Sequence, residues 1–151
     1  MNGTQRRVSK KKPMAPLLEG EEHEFFFPGG LLGFSSYQRF VLSPFRPADQ
    51  SYSPFFILRT LDGEISFPLI YPHFVLSDYR LSLSPEVLAH LDAGSAADLI
   101  ILIMTTLRGR LEEMTANLAG PILLSPVSGL GLQLVVDHYP VRYPFIKRRS
   151  F

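Results

Sequence analysis

The sequence predicts a mainly β fold, a small closed or nearly closed antiparallel β-barrel carrying one short α-helix. Three observations lead there. From Phe25 onward, short apolar runs alternate with Pro, Gly, Ser and Asp, the punctuation of strands joined by turns. Thirteen prolines and eleven glycines in 151 residues work against long helices, and only one segment carries helical caps. Hydrophobic residues make up 46% of the chain and aromatics 12%, enough to pack a core. A chain of this kind removes exposed strand edges by curling the sheet on itself.

The elements follow in order. Residues 1–18 contain Arg6, Arg7, Lys10, Lys11 and Lys12 without apolar periodicity, and are expected to be a flexible basic arm; Met14 within it is an alternative start. The folded domain is expected over 19–146, with a basic tail over 147–151. Strands are expected at Glu24–Phe27, Arg39–Ser43, Phe55–Thr60, Ser66–Tyr71, Leu99–Thr106, Pro121–Leu124 and Leu130–Asp137. The last alternates most clearly, with Leu130, Leu132, Leu134 and Val136 on one face, which predicts a half-buried strand. Leu99 to Met104 is apolar on both faces and should be the most enclosed strand. Pro68 lacks an N–H and points to an edge or a bulge. In SPEVLAHLDAG, Ser84 can cap, Pro85 fits the first helical position, Glu86 favours the positive end of the dipole and Gly94 follows the end.

Charge is divided unevenly. The formal +1 hides a body, residues 19–146, in which seven arginines face fourteen carboxylates, a net −7 between two basic ends. Such a body repels nucleic-acid phosphates and suits a basic protein partner. The absence of cysteine removes thiolate chemistry and Cys-ligated zinc, and fits a reducing compartment. The longest apolar run is far shorter than the roughly 20 residues that span a bilayer, and no apolar stretch follows the N-terminal cations as a signal peptide requires.

Nothing in the sequence points to catalysis. His23, His73, His90 and His138 are isolated from one another and show no metal-ligand spacing. Phosphate-binding glycine loops and a GxSxG elbow are missing; GLG at 129–131 reads as a hairpin turn. Glu112 and Glu113 would point to opposite faces of extended chain, and Asp137–His138 lacks a nucleophile. RRVSKKK could touch phosphates, yet it has no aromatic residue to stack a base.

Three segments, in order, resemble a known family. EEMTANLAGPILLSP, followed by GLGLQLVV and YPVRYPF, is similar to the C-terminal half of the flagellar assembly factor FliW, through Met114, Thr115, Asn117, Leu118, Pro121, Ile122, Gln133, Tyr139 and Pro144. FPGGLLGFSSYQRFVL is similar to that family's F-x-x-G-L-P-G-F segment through Phe27, Gly30, Leu31, Gly33, Phe34 and Phe40. PFFILRTLDGEISFPLIYPHFVLSDY resembles its strand, acidic turn, strand and aromatic loop. The likeness covers residues 25–145. Leu32 stands where the family usually has Pro, Gly120 where it usually has Ala, and Pro68 interrupts a strand that usually has none.

The resemblance implies a non-enzymatic, cofactor-free, cytoplasmic regulator. It would bind flagellin and the RNA-binding translational regulator CsrA, relieving repression of flagellin translation, as a monomer without specific nucleic-acid or membrane contacts. A barrel that holds a small ligand, or an RNA-binding module using the basic arm, are the alternatives. Tyr71, Phe74, Asp78 and Tyr79 are the candidate contact residues, aromatic anchors beside a rim charge; their alternative is core packing. Gly33, Phe34, Asn117, Leu118 and Pro121 form the structural motif. Asn117 is expected to tie backbone where TANLAGP turns and Pro121 has no N–H, with partner contact as its other reading.

Overall fold

The computed structural model describes residues 22–49 and 51–145. The expected arm at 1–18 and tail at 147–151 lie outside the described residues. Among the described residues nine strands form: β1 (His23–Phe26), β2 (Arg39–Pro44), β3 (Phe55–Thr60), β4 (Ser66–Ile70), β5 (Ile100–Thr106), β6 (Thr115–Ala116), β7 (Ile122–Ser125), β8 (Leu130–Gln133) and β9 (Tyr143–Pro144). The order β4-β3-β2-β1-β8-β7-β5 closes through a β4–β5 pairing into a seven-stranded barrel, and β6 and β9 extend the ladder from the far end of β5. One seam departs from the expected antiparallel pattern: β1 and β8 run parallel and meet only at Phe26↔Leu130. The long connection from β1 to β8 brings the chain back in the same direction, so this pair cannot be a hairpin.

Alternating side chains fill the barrel. Phe25, Phe27, Phe40, Leu42, Leu58 and Leu102 are among those packed inside, with the Phe27 and Phe40 rings edge to face at 5.2 Å. The strand expected at Leu130–Asp137 ends at Gln133, and its core-facing side is the opposite of the leucine face. Gly131 points inward, because the Phe27 ring occupies the volume where a Cβ would stand. Leu130, Leu132 and Leu134 face outward instead, where they are covered with Leu91, Leu99 and Leu123 beneath the helix. The alternation is real, but both faces have a partner.

That helix, α1, spans Pro85–His90, and Ser84 Oγ accepts from the Val87 N–H at 3.2 Å as a cap should. It ends earlier than Gly94. Asp92 takes the left-handed conformation (φ 52°) and the Ala93 N–H reaches back to the Leu88 carbonyl at 2.9 Å, so an aspartate closes the helix where glycine is usual. The most enclosed strand is β7, with all four residues buried, whereas β5 has half-exposed positions. β7 lies between two full neighbours and under α1, while β5 is left partly open on its β4 side. Pro68 lies at the Thr105 end of the β4–β5 pairing: it pairs with Ile57 of β3, and its carbonyl accepts from Thr105 Oγ1 at 3.2 Å.

Candidate partner-contact site

The segment after β4 leaves the sheet through a 3-10 turn at Pro72–Phe74, where Pro72 supplies the fixed φ of a first helical position and its carbonyl accepts from the Val75 and Leu76 N–H groups. The four candidate contact residues are divided by this geometry. Phe74 is 52% exposed and Asp78 is exposed, so both are on the surface. Tyr71 is half-buried, its ring edge-on to Phe56 at 5.5 Å, and burial raises its phenol above the ordinary value, helped by the nearby Tyr52. Tyr79 is buried at 4% exposure and cannot serve as a surface anchor. Its hydroxyl donates to the Leu118 carbonyl at 2.7 Å, its ring stacks on Tyr139 at 4.4 Å, and the Arg80 N–H bonds the Tyr139 hydroxyl at 2.8 Å. His73 Nε2 lies 3.2 Å from the Tyr79 carbonyl oxygen. Tyr79 is thus the internal post beside which Val75 and Leu76 pack half-buried while Phe74 and Asp78 stay exposed.

The post stands on the TANLAGP turn. Asn117 is half-buried; its Oδ1 accepts from the Ala119 N–H at 3.0 Å and its own N–H bonds the Met104 carbonyl at 2.9 Å. This is an Asx turn, an aspartate-type side chain standing in for a backbone carbonyl. Leu118 is fully buried and donates to the Pro140 carbonyl, while the Pro121 carbonyl accepts from Leu134. Asn117→Ala is expected to lower stability by about 1 kcal/mol through the lost bond to Ala119, read as a shift of the urea midpoint; an unmoved midpoint with weakened partner capture would make Asn117 a contact residue.

Gln133 is the residue that sequence reasoning underweighted. Its Oε1 accepts from the Leu32 N–H and its Nε2 donates to the Gly120 carbonyl, both at 2.9 Å, joining the FPGGLLGF loop to the TANLAGP turn. Proline at position 32 could not donate this bond, and a Cβ on Gly120 would come within 2.8 Å of Asn117 Nδ2 and 2.9 Å of Gln133 Nε2. Two of this chain's departures from the family pattern therefore meet at one side chain, a signal that was present in the sequence. In the loop that Gln133 holds, Gly33 has φ +82° and Phe34 packs edge to face on Phe67 at 5.2 Å.

A cleft of about 320 Å³ opens beside the post, between Tyr71, Tyr79 and Leu81 on one side and Leu99 and Ile101 on the other. A second, of about 440 Å³, lies in the β2–β3 loop beside Phe45 and the 78% exposed Tyr52, aromatics that the sequence reading did not single out. Asp137 and His138 are both exposed, 4.0 Å apart, with the imidazole against the Tyr139 ring. Among the described residues, no group of three His, Asp or Glu side chains could hold a metal ion, and no helix is long and apolar enough to cross a membrane.

Comparison with known proteins bears on the same region. The FliW protein family model matches residues 10–146. The flagellar assembly factor FliW of Clostridium kluyveri is 33% identical over 135 residues, covering 87% of this chain and 90% of that protein. Its counterpart from Carboxydothermus hydrogenoformans is 35% identical over 130 residues, covering 84% and 82%. A crystal structure of the flagellar assembly factor FliW superposes with a TM-score of 0.74 at 24% identity, covering 84% of this chain and 88% of that one, and shares the fold. With the family match spanning the barrel, the post and the turn beneath it, the chain belongs to the FliW family of flagellar assembly factors.

Proposed function

We propose that this chain is a non-catalytic regulator of flagellar assembly that binds the translational regulator CsrA and flagellin in the cytoplasm, relieving repression of flagellin translation, and that it acts as a monomer. Family membership over residues 10–146 is the observation that carries the reading. The charge division supports it independently: a body of net −7 draws in the basic surface that an RNA-binding protein presents. In this reading residues 19–146 are the binding domain, and the ends, 1–18 and 147–151, are accessory. Phe74 and Asp78, exposed beside the Tyr79 post, are its contact residues.

Calorimetric titration against CsrA, flagellin and a flagellin-leader RNA tests it. Binding to CsrA should weaken and slow as salt rises, because the Debye length falls from about 10 Å at 0.1 M to about 3 Å at 1 M. Removing residues 1–13, whose cations could hold RNA weakly, should leave CsrA binding unchanged and abolish any heat with RNA. Arm-dependent RNA binding by a chain that binds neither CsrA nor flagellin would favour the RNA-binding alternative. No binding to CsrA or flagellin at tens of micromolar would refute the proposal.

A further inference from the structure

The floor of the cleft beside Tyr79 is an open strand edge. Thr105 pairs with Ala116, and the Asn117 N–H bonds the Met104 carbonyl, which sets the direction of every peptide in β5: even-numbered residues face β6 and β7, odd-numbered residues face β4. Ile103 accordingly meets Ile70. Two residues back, the same register sets Ile101 opposite Pro72, which has no N–H and whose carbonyl is already taken by Val75 and Leu76. Ile101 is paired with Leu123 of β7, but its N–H and C=O face away from β7 and find no partner in β4 or in a turn or loop backbone among the described residues, and Ile101 lines the cleft.

An unpaired donor and acceptor on one residue of a strand match one kind of group, the backbone of another extended chain. The walls add selectivity. Tyr71, Tyr79, Leu81, Leu83 and Leu99 make the cleft mostly apolar, with His73 also lining it, and the segment that joins β4 to β5, residues 71–99, carries Asp78, Glu86, Asp92 and Asp98 against Arg80. We propose that β5 takes an extended segment of a protein partner at Ile101 by strand addition, with apolar side chains seated in the cleft and Lys or Arg residues flanking them. The inference rests on the reading of this region as a protein-contact site. A chain that takes the probe below yet captures neither CsrA nor flagellin would lose that reading and keep this one.

Amide hydrogen exchange on the full chain, followed by NMR, is the test. In the free protein the Ile101 amide should exchange at least about 100-fold faster than that of Ile103, which is locked in the ladder. A capped hexapeptide, Lys-Val-Lys-Val-Lys-Val, should slow Ile101 without changing Ile103. The same peptide N-methylated at its central valine should bind about tenfold more weakly, and so should its Glu-Val counterpart. Ala96→Phe, at an exposed cleft-lining position, should remove binding and leave the melting temperature in place. Slow Ile101 exchange in the free chain at every concentration would mean that its own residues cover the edge. Slow exchange that appears only as protein concentration rises would mean that a second copy does. Either result, or equal binding by the N-methylated peptide, overturns the proposal.

Discussion

Gly131→Ala is expected to destabilise the fold by about 3 kcal/mol, near the upper end of overpacking costs in well-filled cores, and to lower the melting temperature by roughly 10 °C. Gly131 is buried in β8 with the fully buried Phe27 ring against it, and a Cβ there would stand 2.5 and 2.8 Å from Cε1 and Cε2 of Phe27 and nearer still to Cζ. The ring cannot swing away, since Phe40 packs against it at 5.2 Å. Phe27→Leu, which trims the ring, should cost about 1 kcal/mol alone. It should also recover part of the Gly131→Ala loss, so that the double variant is about 1 to 2 kcal/mol more stable than the sum. Urea unfolding of the four proteins measures the coupling, and strictly additive costs would show that the ring and the glycine do not share that volume.

Tyr79→Phe carries the second largest effect, about 2 kcal/mol, because it leaves the buried Leu118 carbonyl without its donor while barely changing volume. It also alters the alkaline limb of stability. Burial, assisted by the charge that Tyr139 would carry, holds the Tyr79 phenol well above its ordinary value of 10.0 in the folded chain. The unfolded chain releases that proton near 10 while the folded chain keeps it, so above that pH the unfolded state binds fewer protons and stability falls as pH rises. The contribution is whole below about pH 10 and is lost progressively above it. Wild type should therefore lose more stability between pH 8 and pH 11 than Tyr79→Phe, narrowing the gap between them; a gap of constant width would show that Tyr79 ionises alike in both states.

Phe55–Thr60 was legible residue for residue, because both strand neighbours and the turn at Asp62–Gly63 are written locally: the Asp62 carboxylate accepts from Thr60 Oγ1 and the Glu64 N–H, which hold it below its ordinary value. The start of α1 was legible for the same reason, since Ser84 and Pro85 act within one turn. Its end was not. Nothing in LDAG distinguishes Asp92 from Gly94 as the left-handed residue until Leu91 is anchored beneath the helix and the Ala93 N–H has Leu88 to reach. The candidate contact residues divided on similar grounds. Tyr71, Phe74 and Tyr79 are equivalent as aromatic letters in one loop, and only the approach of Leu118 and Tyr139, 39 and 60 positions along the chain from Tyr79, draws that ring inward and leaves Phe74 outside.

By itself the sequence determined the β class, the capped helix, the charge division and, through three ordered motifs, the family. Each is a property of neighbouring residues or of composition, and short-range chemistry suffices for it. Tertiary structure alone decided which face of Leu130–Gln133 is the inner one, that β1 and β8 close the barrel in parallel, and that Ile101, paired with Leu123 of β7, has no partner on its β4 side. Those outcomes depend on how much room distant side chains leave one another. A phenylalanine over a glycine and a proline opposite an isoleucine have meaning only once the chain has brought them together.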